Sequence, residues 1–138
     1  MRRPRARALA AGGCAAIALA GCGAPPPDLF EVQRTGVGPK ARLTMVVSDG
    51  GNVTCNGRAH PLPPKQLLDA RALTRDLGKQ AQLDLDLPPA PGSILAYRVR
   101  MEAGSIAFAD NSRHLPAALA RLEAFTQDVS ENVCGIQR

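Results

Sequence analysis

The chain reads as an α+β domain: an antiparallel sheet of about four to five strands, made of two hairpins, with two helices packed on one face and one disulfide. Three observations predict this. Ala41–Cys55 and Leu95–Phe108 each alternate apolar and polar side chains on both sides of a glycine-containing turn. Lys65–Leu77 and Pro116–Val133 space apolar residues by three and four behind a proline, as amphipathic helices do. Cys55 and Cys134 are the two cysteines left for a crosslink once the N-terminus is accounted for.

The N-terminus carries an export pattern. Met1–Arg7 holds Arg2, Arg3, Arg5 and Arg7 without an acid, and Ala8–Ala20 is small, apolar and uncharged. A charged segment followed by a short apolar one is a secretory signal. The apolar part is well short of the ~20 residues that span a bilayer. It ends in Leu19-Ala20-Gly21-Cys22, which resembles the lipobox of bacterial lipoproteins. The resemblance implies that residues 1–21 are removed as a signal peptide and that Cys22 receives a diacylglyceryl group and becomes the first residue. Acyl chains contribute about 0.8 kcal/mol per buried methylene, and two or more chains hold a protein stably.

This changes the charge balance. The 138-residue chain has 17 Lys+Arg, 12 Asp+Glu and a formal charge of +5. Four of those arginines lie in the signal and none of the acids do, so the mature formal charge is +1. With aromatics at 3% there is little to stack on bases, and the expectation is no nucleic-acid partner. The cysteines sort likewise. Cys14 leaves with the signal and Cys22 is lipidated, so Cys55 and Cys134 are expected to pair in an oxidising compartment.

Taken in order, residues 22–28 are the lipidated Cys and a tether, since Pro25-Pro26-Pro27 favours extended polyproline II. Residues 29–138 form a single extracytoplasmic domain. Leu29–Arg34 alternates and reads as an edge strand; Thr35-Gly36-Val37-Gly38-Pro39 reads as a loop. Ala41–Ser48 is a strand with Leu43, Met45 and Val47 on one face. Asp49-Gly50-Gly51-Asn52 turns it, and Val53 and Cys55 face inward on the return. Asn56–Pro61 reads as another loop. Pro63-Pro64 opens the first helix, whose stripe is Leu67, Ala70, Leu73 and Leu77 with Leu68 beside it, and Gly78 is expected to cap it. Leu83–Leu87 is a short strand or a loop. Pro88-Pro89-Ala90-Pro91-Gly92 is a rigid loop. Leu95, Tyr97, Val99 and Met101 then mark the clearest strand, and Ala103-Gly104-Ser105 turns it back into Ile106 and Phe108. Leu119, Leu122, Phe125 or Thr126, Val129 and Val133 form the stripe of the second helix, which Cys134-Gly135 ends.

The chain has no G-x-S-x-G, no H-E-x-x-H and no phosphate loop with its lysine. His60 and His114 lie in loop-like segments, and with Cys55 and Cys134 they match no zinc spacing. Asp84 and Asp86 could bind Ca²⁺ or transfer protons, yet no third carboxylate or ligand loop accompanies them, so they read as a solvated face. Arg98 and Arg100 share an outer strand face that could hold an anion and reads as solvated. Asn52-Val53-Thr54 matches the glycosylation sequon, which carries little weight in a bacterial lipoprotein.

Phe30-Glu31-Val32-Gln33-Arg34-Thr35-Gly36, the segment Pro88–Gly92, the Tyr97 hairpin and Leu115-Pro116 resemble emfourin-type inhibitors of thermolysin-like metalloproteases over roughly residues 29–130. The lipobox and the cysteine pair depart from that family. The resemblance implies the strand–helix order and, as an alternative function, a surface-tethered protease inhibitor. The contact loops expected from the residues themselves are the exposed glycine-rich turns Thr35, Gly36, Val37, Gly38 and Asp49, Gly50, Gly51, Asn52. A small hydrolase is a second alternative. The expected function is a non-catalytic, lipid-anchored binding domain at the cell envelope without a cofactor or metal. Its partners would be the membrane, through its anchor, and an envelope protein or small ligand. Ala-, Arg- and Pro-rich usage points to a GC-rich bacterium of the actinomycete kind, hence the outer face of the cytoplasmic membrane. In a diderm the outer membrane competes.

Overall fold

The computed structural model describes residues 28–137; the signal, Cys22 and the prolines of the tether lie outside them. Six strands form one antiparallel sheet: β1 (Phe30–Gly36), β2 (Leu43–Ser48), β3 (Asn52–Cys55), β4 (Arg58–Pro61), β5 (Leu95–Met101) and β6 (Gly104–Ala109), in the order β4-β3-β2-β1-β5-β6. Helices α1 (Pro64–Gln82) and α2 (Ala117–Asp128) cover one face. The expected class holds, with six strands rather than four to five.

The extra strand is β4. Residues 56–61 are not simply a loop, because Asn56 and Gly57 both take positive φ, 48° and 84°. An Asn-Gly pair with two left-handed residues is the tightest hairpin turn, and it folds Arg58–Pro61 back on Cys55. The second correction concerns β1. It is the centre of the sheet rather than an edge, pairing with β2 (Val32↔Met45) and with β5 (Val32↔Val99). Alternation reveals which face is buried but not how many neighbours a strand has.

The inward side chains are those the alternation picks out. Phe30 and Val32, Leu43, Met45 and Val47, Val53 and Cys55, Tyr97, Val99 and Met101, and Ile106 and Phe108 are all buried. Above them lie Ala70, Leu73, Leu77 and Ala81 of α1 and Leu119, Leu122 and Phe125 of α2. Phe30 meets Phe125 edge-on at 5.8 Å, and Tyr97 stacks on Phe108 at 4.8 Å. Each aromatic pair adds about 1 kcal/mol beyond its buried area.

Helix α1 begins as expected, with Pro63 before it and Pro64 at its first turn, but it runs through Gly78 to Gln82. The helix accepts the ~1 kcal/mol that an interior glycine costs and buries Ala81 one turn further on. Leu68 faces solvent. At the far end of α1 the Ala81 carbonyl sits against Gly104, where a Cβ would collide with it. Gly104 (φ 143°) therefore lets the helix close on the β5–β6 turn. Helix α2 ends in a wide π turn, Val129–Val133, in which Cys134 N–H donates to the Val129 carbonyl. That turn delivers Cys134 to Cys55, and the two form a disulfide across a sequence separation of 79.

Candidate functional site

Because both helices lie on one side, no helix among the described residues covers the other face of the sheet, and only the segment around Asp86 and Pro89 lies over its β6 edge. Register places the side chains of that face in rows. The first is Thr54, Val46, Glu31, Arg100 and Ser105; the second is Thr44, Gln33, Arg98 and Ala107; the third is Thr35, Ala96 and Ala109. Beyond β6, Asp86 bridges Ala107 in parallel and extends the second row. Leu85 and Leu87 pack on the core, so the alternation turns Asp86 toward the open face. Leu83–Leu87, ambiguous in sequence, is thus partly a short edge strand.

The charges of this face divide in two. In the first row Arg100 Nη2 donates to Glu31 Oε2 at 2.8 Å, and Gln33 Nε2 donates to Glu31 Oε1 at 2.7 Å. The Arg100 hydrogen bond holds the Glu31 carboxyl below the ordinary value, ahead of the opposing effect of partial burial. In the second row Arg98 and Asp86 are exposed, and among the described residues neither side chain has an ion-pair or hydrogen-bond partner. Ala107 separates them, two strand spacings or about 10 Å between backbones.

Between them runs a groove of about 280 Å³, floored by Ala96 and Ala107, bounded by Arg98 and Thr35, and walled by Asp86 and Pro89. The wall is fixed in place. Buried Ser112 accepts from Ala109 N–H at 2.9 Å and shares its own proton between the Leu87 and Pro88 carbonyls, 3.1 Å each. Asn111 accepts from Ala90 N–H at 3.1 Å and donates to the Ala90 and Pro91 carbonyls at 3.0 and 3.1 Å. Sequence reading overlooked Ser112 and Asn111. The signal was there, since a polar pair after a strand and facing a proline-rich loop is the kind of side chain that replaces missing backbone donors.

The segments expected to contact a partner are not brought together. Thr35 and Gly36 belong to β1, paired with Ala96 and Leu95. Val37 and Gly38 continue into a loop whose rim, with Pro39, Lys40 and Ile94, borders a second hollow of about 350 Å³; Val37 is 78% exposed and Ile94 55%. Asp49, Gly50 and Gly51, with Asn52 at the start of β3, occupy the opposite end of the sheet. There Ser48 Oγ donates to Asp28 at 2.7 Å and Arg71 of α1 donates to Asp49 at 2.6 Å. Seven strand residues, about 20 Å, separate the two ends.

Three further residues were weighed in sequence. His60 lines a cleft beside the disulfide with Arg58. His114 is exposed in a turn at φ 56°. Neither imidazole hydrogen-bonds a hydroxyl or carboxylate among the described residues. Asp84 is occupied structurally, accepting from Ser105 N–H and Oγ–H at 3.1 Å.

The class defined is a two-layer α+β domain with one covered and one open sheet face. Comparison with protein-family models, with curated proteins and with solved structures gives no match.

Proposed function

We propose that the protein is a lipid-anchored, extracytoplasmic binding domain without catalytic activity, held by Cys22 and recognising its partner through the open sheet face. One observation carries the recognition half. The groove has a fixed wall and two charged side chains that the fold does not use, and it lies on the half of the sheet far from Asp28. A pre-organised concave surface with a few convergent polar groups is what ligand sites have in common. The lipobox-like Leu19-Ala20-Gly21-Cys22 supports the anchoring half. With the chain tethered before Asp28, the groove and the Val37–Ile94 rim would face away from the lipid.

Fractionation of cells tests the anchor. The wild type is expected in the membrane fraction and Cys22→Ala in the soluble fraction; unchanged membrane retention of Cys22→Ala would overturn it. Affinity purification from solubilised membranes tests the face. Ala96→Trp, which fills the groove, is expected to lose the neighbours that the wild type retains, and identical recoveries would remove the open face from the proposal.

A further inference from the structure

Resting on the binding reading above, we infer that the groove takes a small zwitterion, an amino acid or short peptide, with its carboxylate on Arg98 and its ammonium on Asp86. The argument begins with the pattern of pairing. On the same face, one row away, Glu31 and Arg100 are close enough to neutralise one another. Arg98 and Asp86 also lie in one row but are not joined, since no ion pair between them falls within 4.0 Å. Ala107 stands between them where a longer side chain would fill the gap.

A cation and an anion on opposite sides of one narrow groove are complementary to a ligand carrying both charges in the reverse order. A guanidinium offers a planar fork to a carboxylate, and a carboxylate accepts from an ammonium. A ligand with one charge would leave one of the two protein charges facing an uncompensated neighbour. Size points the same way. A hollow of about 280 Å³ is at the small end of ligand sites and suits an amino acid or dipeptide. Thr35 at the distal edge supplies a hydroxyl for the ligand's remaining polar group. The wall beside Asp86 is already fastened by Ser112 and Asn111, so little ordering is needed on binding.

Calorimetric titration of the mature lipidated protein in detergent tests this, with alanyl-alanine as the probe. N-acetyl-alanyl-alanine, which keeps only the carboxylate, and alanyl-alanine amide, which keeps only the ammonium, are the controls. Saturable binding of the zwitterion is expected, with each control and each of Arg98→Gln and Asp86→Asn weaker by about tenfold or more. Both side chains are exposed, so both variants are expected to melt with the wild type, which separates a binding effect from unfolding. The inference is overturned by no saturable binding up to about 10 mM, by controls that bind as well as the zwitterion, or by a loss confined to one of the two variants, which would leave a single-charge site. None of these outcomes touches the Cys22→Ala fractionation or the Ala96→Trp purification, so the zwitterion can fail while the binding domain stands.

Discussion

Two arginines, on neighbouring strands and one register position apart, show how differently the two faces of this sheet are used. Arg34 of β1 lies opposite Tyr97, and Arg98 of β5 lies opposite Gln33. Arg34 points under the helices and is 1% exposed. Its Nε donates to the Ala41 carbonyl at 3.0 Å and its Nη2 to the Lys40 carbonyl at 3.4 Å, so it ties down the loop between β1 and β2 from inside. Arg98 points out and, among the described residues, its side chain has no hydrogen-bond or ion-pair partner. A strand side chain serves stability or recognition according to the parity of its position, and chemically identical groups end up with opposite roles.

The largest test of that contrast is on the covered side. Replacing both cysteines, Cys55→Ser with Cys134→Ser, is expected to cost about 4.5 kcal/mol on the chain-entropy account of a 79-residue separation. That is a large share of the roughly 5–15 kcal/mol that such domains have, and urea unfolding of the variant against the oxidised wild type measures it. Arg34→Met comes next. Two loop carbonyls would lose charged donors in a buried site, and the midpoint in urea is expected to fall by the equivalent of about 3 kcal/mol. If Arg34→Met cost no more than Arg98→Met, the two faces would not differ as described.

Gly78→Ala runs the other way. A Cβ there meets nothing within 4 Å and the residue is interior to α1, so a gain of about 1 kcal/mol is expected as a higher melting temperature. On the open face the effects shrink. Glu31 has its pKa lowered in the fold, by the Arg100 hydrogen bond first, so it stabilises the protein above the ordinary value of 4.5 and that contribution disappears as pH falls through the lowered one. Glu31→Gln is therefore expected to flatten the stability profile below about pH 4.5. The effect stays under about 1 kcal/mol because Arg100 is 39% exposed. Smallest of all, Arg98→Gln and Asp86→Asn are expected to change stability by less than about 0.5 kcal/mol.

Much of the covered face was legible in the sequence. Phe30 and Val32, the Leu43–Val47 triplet and the Leu95–Met101 alternation each gave the buried side correctly, and Pro64 and Pro116 marked the helix starts to within a residue. What failed was neighbourhood. Leu29–Arg34 alternates the same way whether it has one partner or two, so its pattern does not distinguish an edge strand from a central one. Asn56-Gly57 is a hairpin turn that reads as part of a loop in sequence, because the four residues after it, Arg58–Pro61, carry no apolar stripe of their own. Gly78 looked like a stop because glycine often is one, and only the burial of Ala81 shows why the helix continues.

The groove was less visible. Its residues come from β1, β5, β6 and the segments around Asp86 and Pro89. Asp84 and Asp86 looked like a pair in sequence, yet one bonds Ser105 and the other faces the groove. The expected contact segments around Thr35 and Asp49 were grouped because both are turn-like, and strand direction puts them at opposite ends.

The local patterns can be read along the chain: an export-like N-terminus, the parity of each strand and the stripe of each helix. These are set by neighbours a few residues apart, through backbone geometry and side-chain spacing. Long-range pairing alone makes β1 central, buries Arg34 while Arg98 has no partner among the described residues, and sets Ala107 between Arg98 and Asp86. Those facts depend on which distant strands pair and which face the helices cover, where burial and hydrogen bonding act between residues far apart in the chain.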